Sequence, residues 1–243
     1  MANKYKIGKA LPKSAIRFRP EYLDFKRGIR VGNLGDNERI TRILKLAIED
    51  ACQTSFVTER YGRGVYWQWI GFLSRANRAA KPVSSNVGFG CSKFVVTIDP
   101  RDSLFKCGFS VERGFAADDP DYRKFELKPD WDWNRLVKQT KEGSPFYREL
   151  RRLVVREGFA VDAGSWEGPF TFRRKDFPGP AKLRKVLRDA PGDSWAGFQV
   201  YYPMKQKDVA ESAGADLIEA MLAVFREVTA AMNCCMQEKL KFR

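Results

Sequence analysis

The chain has 243 residues, with 44 Lys and Arg against 30 Asp and Glu, no His, and a formal net charge of +14. That length, with 44% hydrophobic residues, suits one large domain or two modest ones with a proper core. The absence of imidazole excludes Ser-His-Asp triads, Cys-His nucleophile pairs and His-ligated metals from this chain alone.

Residues 1–35 are rich in Lys and Arg, with only Glu21 and Asp24 acidic, and read as a basic arm carrying one short strand around Ile29–Val31. The first stretch, "MANKYKIGKALPKSAIRFRP", has no continuous apolar run and no small-residue cleavage pattern, so it is not expected to be a secretory signal. No segment reaches the roughly 20 apolar residues of a membrane-spanning helix.

"DNERITRILKLAIEDACQ" predicts a helix capped by Asp36, with Ile40, Ile43, Leu44, Ala47, Ile48 and Ala51 on one stripe. "GVYWQWIGF" carries strand formers. Strand alternation there puts Trp67 and Trp69 on one side and Tyr66 with Gln68 on the other. "SKFVVTID", "PRDS" and "LFKCGFSVERG" predict an antiparallel hairpin. An acidic loop follows, and a boundary between two lobes near 116–129 is the alternative to one domain spanning 36–243.

"SPFYRELRRLVVREG" predicts a helix capped by Ser144, with Pro145 at its first position and Gly158 past its end. At about 100° per residue, Phe146, Leu150, Leu153 and Val154 share one face. Arg148, Arg151, Arg152 and Arg156 fan across the other. "GFAVDAG" and "GPFTFRRKDF" read as strands, "PAKLRKVLRD" as a short basic helix, and "SWAGFQVYYPM" as a strand. A long amphipathic helix over 215–236 buries Leu217, Ile218, Met221, Leu222, Phe225, Val228 and Met232. The tail "QEKLKFR" is expected to fray. The irregular order of strands and helices predicts an α+β fold: a mostly antiparallel sheet backed by several helices, including a long C-terminal one.

The five cysteines, Cys52, Cys91, Cys107, Cys234 and Cys235, lack zinc-knuckle spacing and fit a reducing, cytoplasmic or nuclear compartment. No cofactor is expected.

The charge excess attracts polyanions, nucleic acid before anionic membranes or acidic proteins. Arginine holds phosphate oxygens bidentately. The arginine helix is therefore one expected contact, and the strand end Arg173, Arg174 and Lys175 a second. The helix with Lys182, Arg184, Lys185 and Arg188 is the third. Tyr66, Trp67 and Trp69, flanked by Arg60, Arg63, Arg75 and Arg78, are candidates for stacking on unpaired bases. The resulting expectation is a DNA- or RNA-binding protein that grips the phosphate backbone, within a larger assembly of protein partners and with no membrane insertion. The alternative is a Mg²⁺-dependent nuclease or phosphotransfer enzyme using Asp99, Glu112, Glu126 and Lys128, in which carboxylates hold the metal and the lysine orients water.

Overall fold

The computed structural model describes residues 11–80, 90–114 and 131–243. A short hairpin, β1 (Leu23–Asp24) and β2 (Gly28–Arg30), precedes α1 (Ile40–Cys52). A long hairpin, β3 (Phe56–Arg63) and β4 (Tyr66–Ser74), leads into one turn of helix, α2 (Arg75–Ala79). The hairpin read around Pro-Arg-Asp-Ser is β5 (Lys93–Asp99) and β6 (Leu104–Gly114), with Asp99 opposite Leu104 across the turn. Then come α3 (Asp132–Gln139), α4 (Pro145–Val155), β7 (Ala160–Ser165), β8 (Phe170–Phe172) and α5 (Pro180–Arg188). β9 (Ala196–Lys205), α6 (Gln206–Ala210) and α7 (Gly214–Asn233) complete the chain.

The described strands form one antiparallel sheet in the order β1-β2-β4-β5-β6-β9-β7-β8, with β3 on the other edge of β4. The fold is α+β. β9 enters between β6 and β7, so the last third of the chain is stitched into the middle of the sheet.

Alternation along the strands divides the sheet into two unlike faces. One carries Phe94 and Val96 of β5, Phe105, Cys107 and Phe109 of β6, and Phe198 and Val200 of β9, all fully buried. α7 lies against this face. Phe225 reaches Phe94 at 4.7 Å between ring centres, and Ile218, Met221, Val228 and Met232 are buried beside it. α1 and α4 flank α7, and Leu150, Leu153 and Val154 supply the buried side of α4. Burying such a side chain stabilises by about 1.5–3 kcal/mol, so this layer holds the fold together.

The Ser144 cap forms as the sequence predicts: its Oγ accepts the Tyr147 backbone N–H at 3.1 Å, and Pro145 opens α4. Three local expectations differ from what the chain does. α1 begins at Ile40, not after Asp36, because residues 35–39 form a turn whose Arg39 N–H bonds Gly35 O; Asp36 instead faces Arg42 at 3.7 Å. The described part of the basic N-terminal segment is packed, with Phe18, Tyr22, Leu23, Phe25 and Ile29 buried. The C-terminal tail is docked: Leu240 is buried, Asn233 brackets its backbone through two hydrogen bonds, and Phe242 meets Phe94 edge-on at 6.2 Å. Two aromatic and aliphatic side chains in a seven-residue tail suffice to anchor it where a matching apolar surface is waiting.

Candidate functional site

Among the described residues, the opposite face of the sheet carries no apolar layer of comparable size. Alternate positions there hold Glu59 on β3, Trp69 on β4, Lys93 and Asp99 on β5, Lys106 and Glu112 on β6, Gln199 and Tyr201 on β9, and Asp162 on β7. Together with Trp166 and Trp195, most of these line a cleft of about 1040 Å³. Four cations, Arg60, Lys93, Arg101 and Lys106, meet five carboxylates, those of Glu59, Asp99, Glu112, Asp162 and Glu167.

Two buried ammonium groups organise it. Lys93, 1% exposed, places Nζ 2.7 Å from Glu59 Oε2 and 2.9 Å from Glu112 Oε2. Lys106, 4% exposed, reaches Asp99 Oδ2 at 3.0 Å, Asp162 Oδ2 at 3.1 Å and Asp102 at 3.4 Å. Burial disfavours both charges, but the surrounding carboxylates outweigh it and hold each lysine above its ordinary pKa, Glu112 then Glu59 for Lys93 and Asp162 foremost for Lys106. Burial would raise Asp99, yet hydrogen bonds from Arg101 and Lys106 hold it well below the usual carboxylate range. Tyr201 OH and Thr171 Oγ1 both donate to Asp162 Oδ1, at 3.1 and 2.7 Å. Burial and then the charge of Asp162 push the Tyr201 phenol upward.

Glycines let aromatic rings approach the backbone closely on this face. A Cβ on Gly71 would fall 2.6 Å from the Trp69 ring, and one on Gly197 would fall 2.4 Å from Trp166 Cζ2. The Trp195 indole N–H donates to Glu112 Oε1 at 3.3 Å.

Asp99 and Glu112 therefore share one cleft, although they belong to different lysine clusters. Each is neutralised by an ammonium seated between carboxylates, the place a bridging divalent ion would need. Among the described residues, no group of three or more metal-ligating side chains is placed to hold an ion. Glu126 and Lys128 lie outside the described residues.

The tryptophan expectation needs correction. Tyr61 pairs with Trp69 and Gly62 with Trp67, so Gln68 is an extra residue in β4. This bulge reverses the alternation. Trp67 packs toward the helical core beneath the Arg60 guanidinium, 4.1 Å from its ring centre, while Trp69 faces the cleft. Tyr66 is covered by Arg27 at 4.4 Å.

The predicted basic residues lie around the helices. Arg148, Arg151 and Arg156 are exposed on α4, and Arg173, Arg174 and Lys175 are exposed in the turn after β8. Arg152 differs from its neighbours: it bonds Glu149 and Glu227 at 3.0 Å each and lies 3.6 Å from Glu157. Lys182, Lys185 and Arg188 are exposed on α5, while Arg184 Nε donates to Thr140 O at 2.7 Å. Tyr147 OH donates to Pro178 O at 2.8 Å, which ties the start of α4 to the chain entering α5.

Arg184 and Arg188 also border a groove of about 700 Å³ between α3 and α5. Lys138 and Lys141 from the end of α3, and Arg113 from the end of β6, complete it. Among the described residues lining this groove, none is acidic. These three additional cations are scattered over some 30 residues, and no local pattern in the sequence joins them to α5.

Among the described residues, no helix is long and apolar enough to cross a membrane. The chain matches no family model and no curated protein.

Proposed function

We propose that the protein binds nucleic acid through the phosphate backbone, at the groove between α3 and α5. The observation that carries this reading is the convergence of Arg113, Lys138, Lys141, Arg184 and Arg188 on a concavity whose described lining has no carboxylate. Cations lining one concavity favour an anionic ligand, and a polymer releases counterions at each contact. Arg148, Arg151 and Arg156 of α4, and Arg173, Arg174 and Lys175, are further exposed cations that add to the positive charge. Arg152 serves the fold, because three carboxylates of this chain already surround it. The cleft tryptophans occupy the other face of the sheet, so this contact reads charge rather than sequence. A reducing compartment, cytoplasm or nucleus, belongs to the same proposal, as do protein partners in an assembly; none of the five cysteines is in a disulfide.

Fluorescence anisotropy with single- and double-stranded DNA and RNA over a salt series tests it. Lys138→Ala, Lys141→Ala and Arg188→Ala together remove three exposed cations. Each lost contact lowers the slope of log affinity against log salt by about 0.9 on duplex DNA and about 0.7 on single strands. A triple variant with the parent's affinity and slope refutes the groove.

A further inference from the structure

The cleft on the open sheet face is a second site, independent of the basic groove. Its buried charges are already matched to one another, Lys93 to Glu59 and Glu112 and Lys106 to Asp99 and Asp162, with Arg101 also on Asp99, while Arg60 and Glu167 are exposed. A strongly charged ligand would disturb those pairs at low dielectric. The cleft therefore suits an uncharged molecule.

Its aromatic surfaces narrow the choice. Trp166 packs directly against Gly197, leaving no room for a Cβ there. Gln199 follows two residues along β9 on the same face, directly opposite Asp162 of β7 and Ser110 of β6. Gln199 is 6% exposed and lines the cleft, yet its Nε2 has no hydrogen-bond partner among the described residues. A buried amide N–H without an acceptor is costly, and it persists where a ligand completes it. The carboxylates around it are engaged elsewhere: Asp162 receives Lys106, Tyr201 and Thr171, and Glu112 receives Lys93 and Trp195. What is missing at this spot is an acceptor for that N–H, next to the Trp166 ring.

We infer that the cleft binds a planar, uncharged heterocycle of the nucleobase class, stacked on Trp166 and accepting a hydrogen bond from Gln199. An amide directed at a ring carbonyl or ring nitrogen, beside an aromatic platform, is the usual chemistry for recognising an unstacked base. A free nucleoside and an unpaired base within a strand present the same ring.

The experiment titrates adenosine, guanosine, cytidine and uridine against the full chain, following quenching of tryptophan emission and heat of binding. The same four bases are then offered at the centre of short single strands. The expected result is saturable quenching by at least one nucleoside, unaffected by salt. Gln199→Met, which keeps the length and removes the amide, weakens it about tenfold or more, and Trp166→Leu does likewise. Melting of the unliganded Gln199→Met chain at or above the parent's temperature shows that the lost affinity is not misfolding. Binding only within a strand also supports the site and identifies a strand as the source. The Lys138, Lys141 and Arg188 triple variant keeps nucleoside binding, so the two sites fail separately. Absence of binding by every base in both forms overturns the inference. So does binding left unchanged by Gln199→Met and Trp166→Leu, or saturation by uncharged methyl glycosides in place of bases.

Discussion

Lys106 Nζ lies 3.1 Å from Asp162 Oδ2, although β9 separates their two strands. Lys93 on β5 reaches Glu59 on β3 across β4 in the same manner, at 2.7 Å. On this face, two ammonium groups tie strands that do not touch. Removing one of them leaves carboxylates facing each other without a counter-charge. Lys93→Met is expected to destabilise by about 3 kcal/mol, the low end for a broken buried pair, since both glutamates retain some solvent access. Adding Glu59→Leu and Glu112→Leu to it should recover much of that loss. Urea unfolding of the single and triple variants measures the difference, and a triple variant less stable than the single one contradicts the account.

The same clusters set the pH range of stability. Asp99 titrates below the ordinary range in the folded chain, so its contribution is complete above about pH 3.9 and is lost as pH falls through the folded value. Lys93 titrates above its ordinary range. Its contribution is complete below about pH 10.4 and is lost as pH rises through the folded value. Melting temperature against pH should show a plateau between these limits. Asp99→Asn should shallow the acid limb and, because Lys106 loses one of its carboxylates, also lower the Lys106 contribution to the alkaline limb.

Gly197→Ala tests the packing of Trp166 against the sheet. The added methyl would fall 2.4 Å from the ring, so the indole must lift away from the sheet. Overpacking of this kind costs about 1–3 kcal/mol. Tryptophan emission should shift to longer wavelength as the ring gains water. An unchanged spectrum would mean that Trp166 does not rest there.

Truncation after Lys239 removes Leu240 and Phe242, which cover part of the core near Phe94. The loss should be about 2–4 kcal/mol, from one buried leucine and one partly buried aromatic. Equal stability of the truncated chain would show that the tail is merely laid on the surface.

Much of the fold was legible because its signals are local. The Ser144 cap, the Pro-Arg-Asp-Ser hairpin and the stripe of α7 depend on residues a few positions apart, and each formed where periodicity placed it. Asp36 misled because a turn captured the residues before Ile40, and competing local bonds of that kind leave little trace in apolar spacing. Trp67 and Trp69 misled for a comparable reason. One inserted residue, Gln68, reverses a period of two, and the pairing with β3 that creates it lies outside the run being read.

Composition and periodicity by themselves determined that this chain folds as α+β, that its helices bury one stripe, and that it carries a large positive excess. Tertiary structure decided which charges are free and which are spent. Arg152 and Arg148 read alike on a helical wheel, but only Arg152 meets Glu227 from α7. Lys93 looks like any surface lysine until strands β3 and β6 bring glutamates to either side of it. Ionic and hydrogen-bond partners come from distant parts of the chain. Their effect falls steeply with separation in space, which linear spacing does not encode.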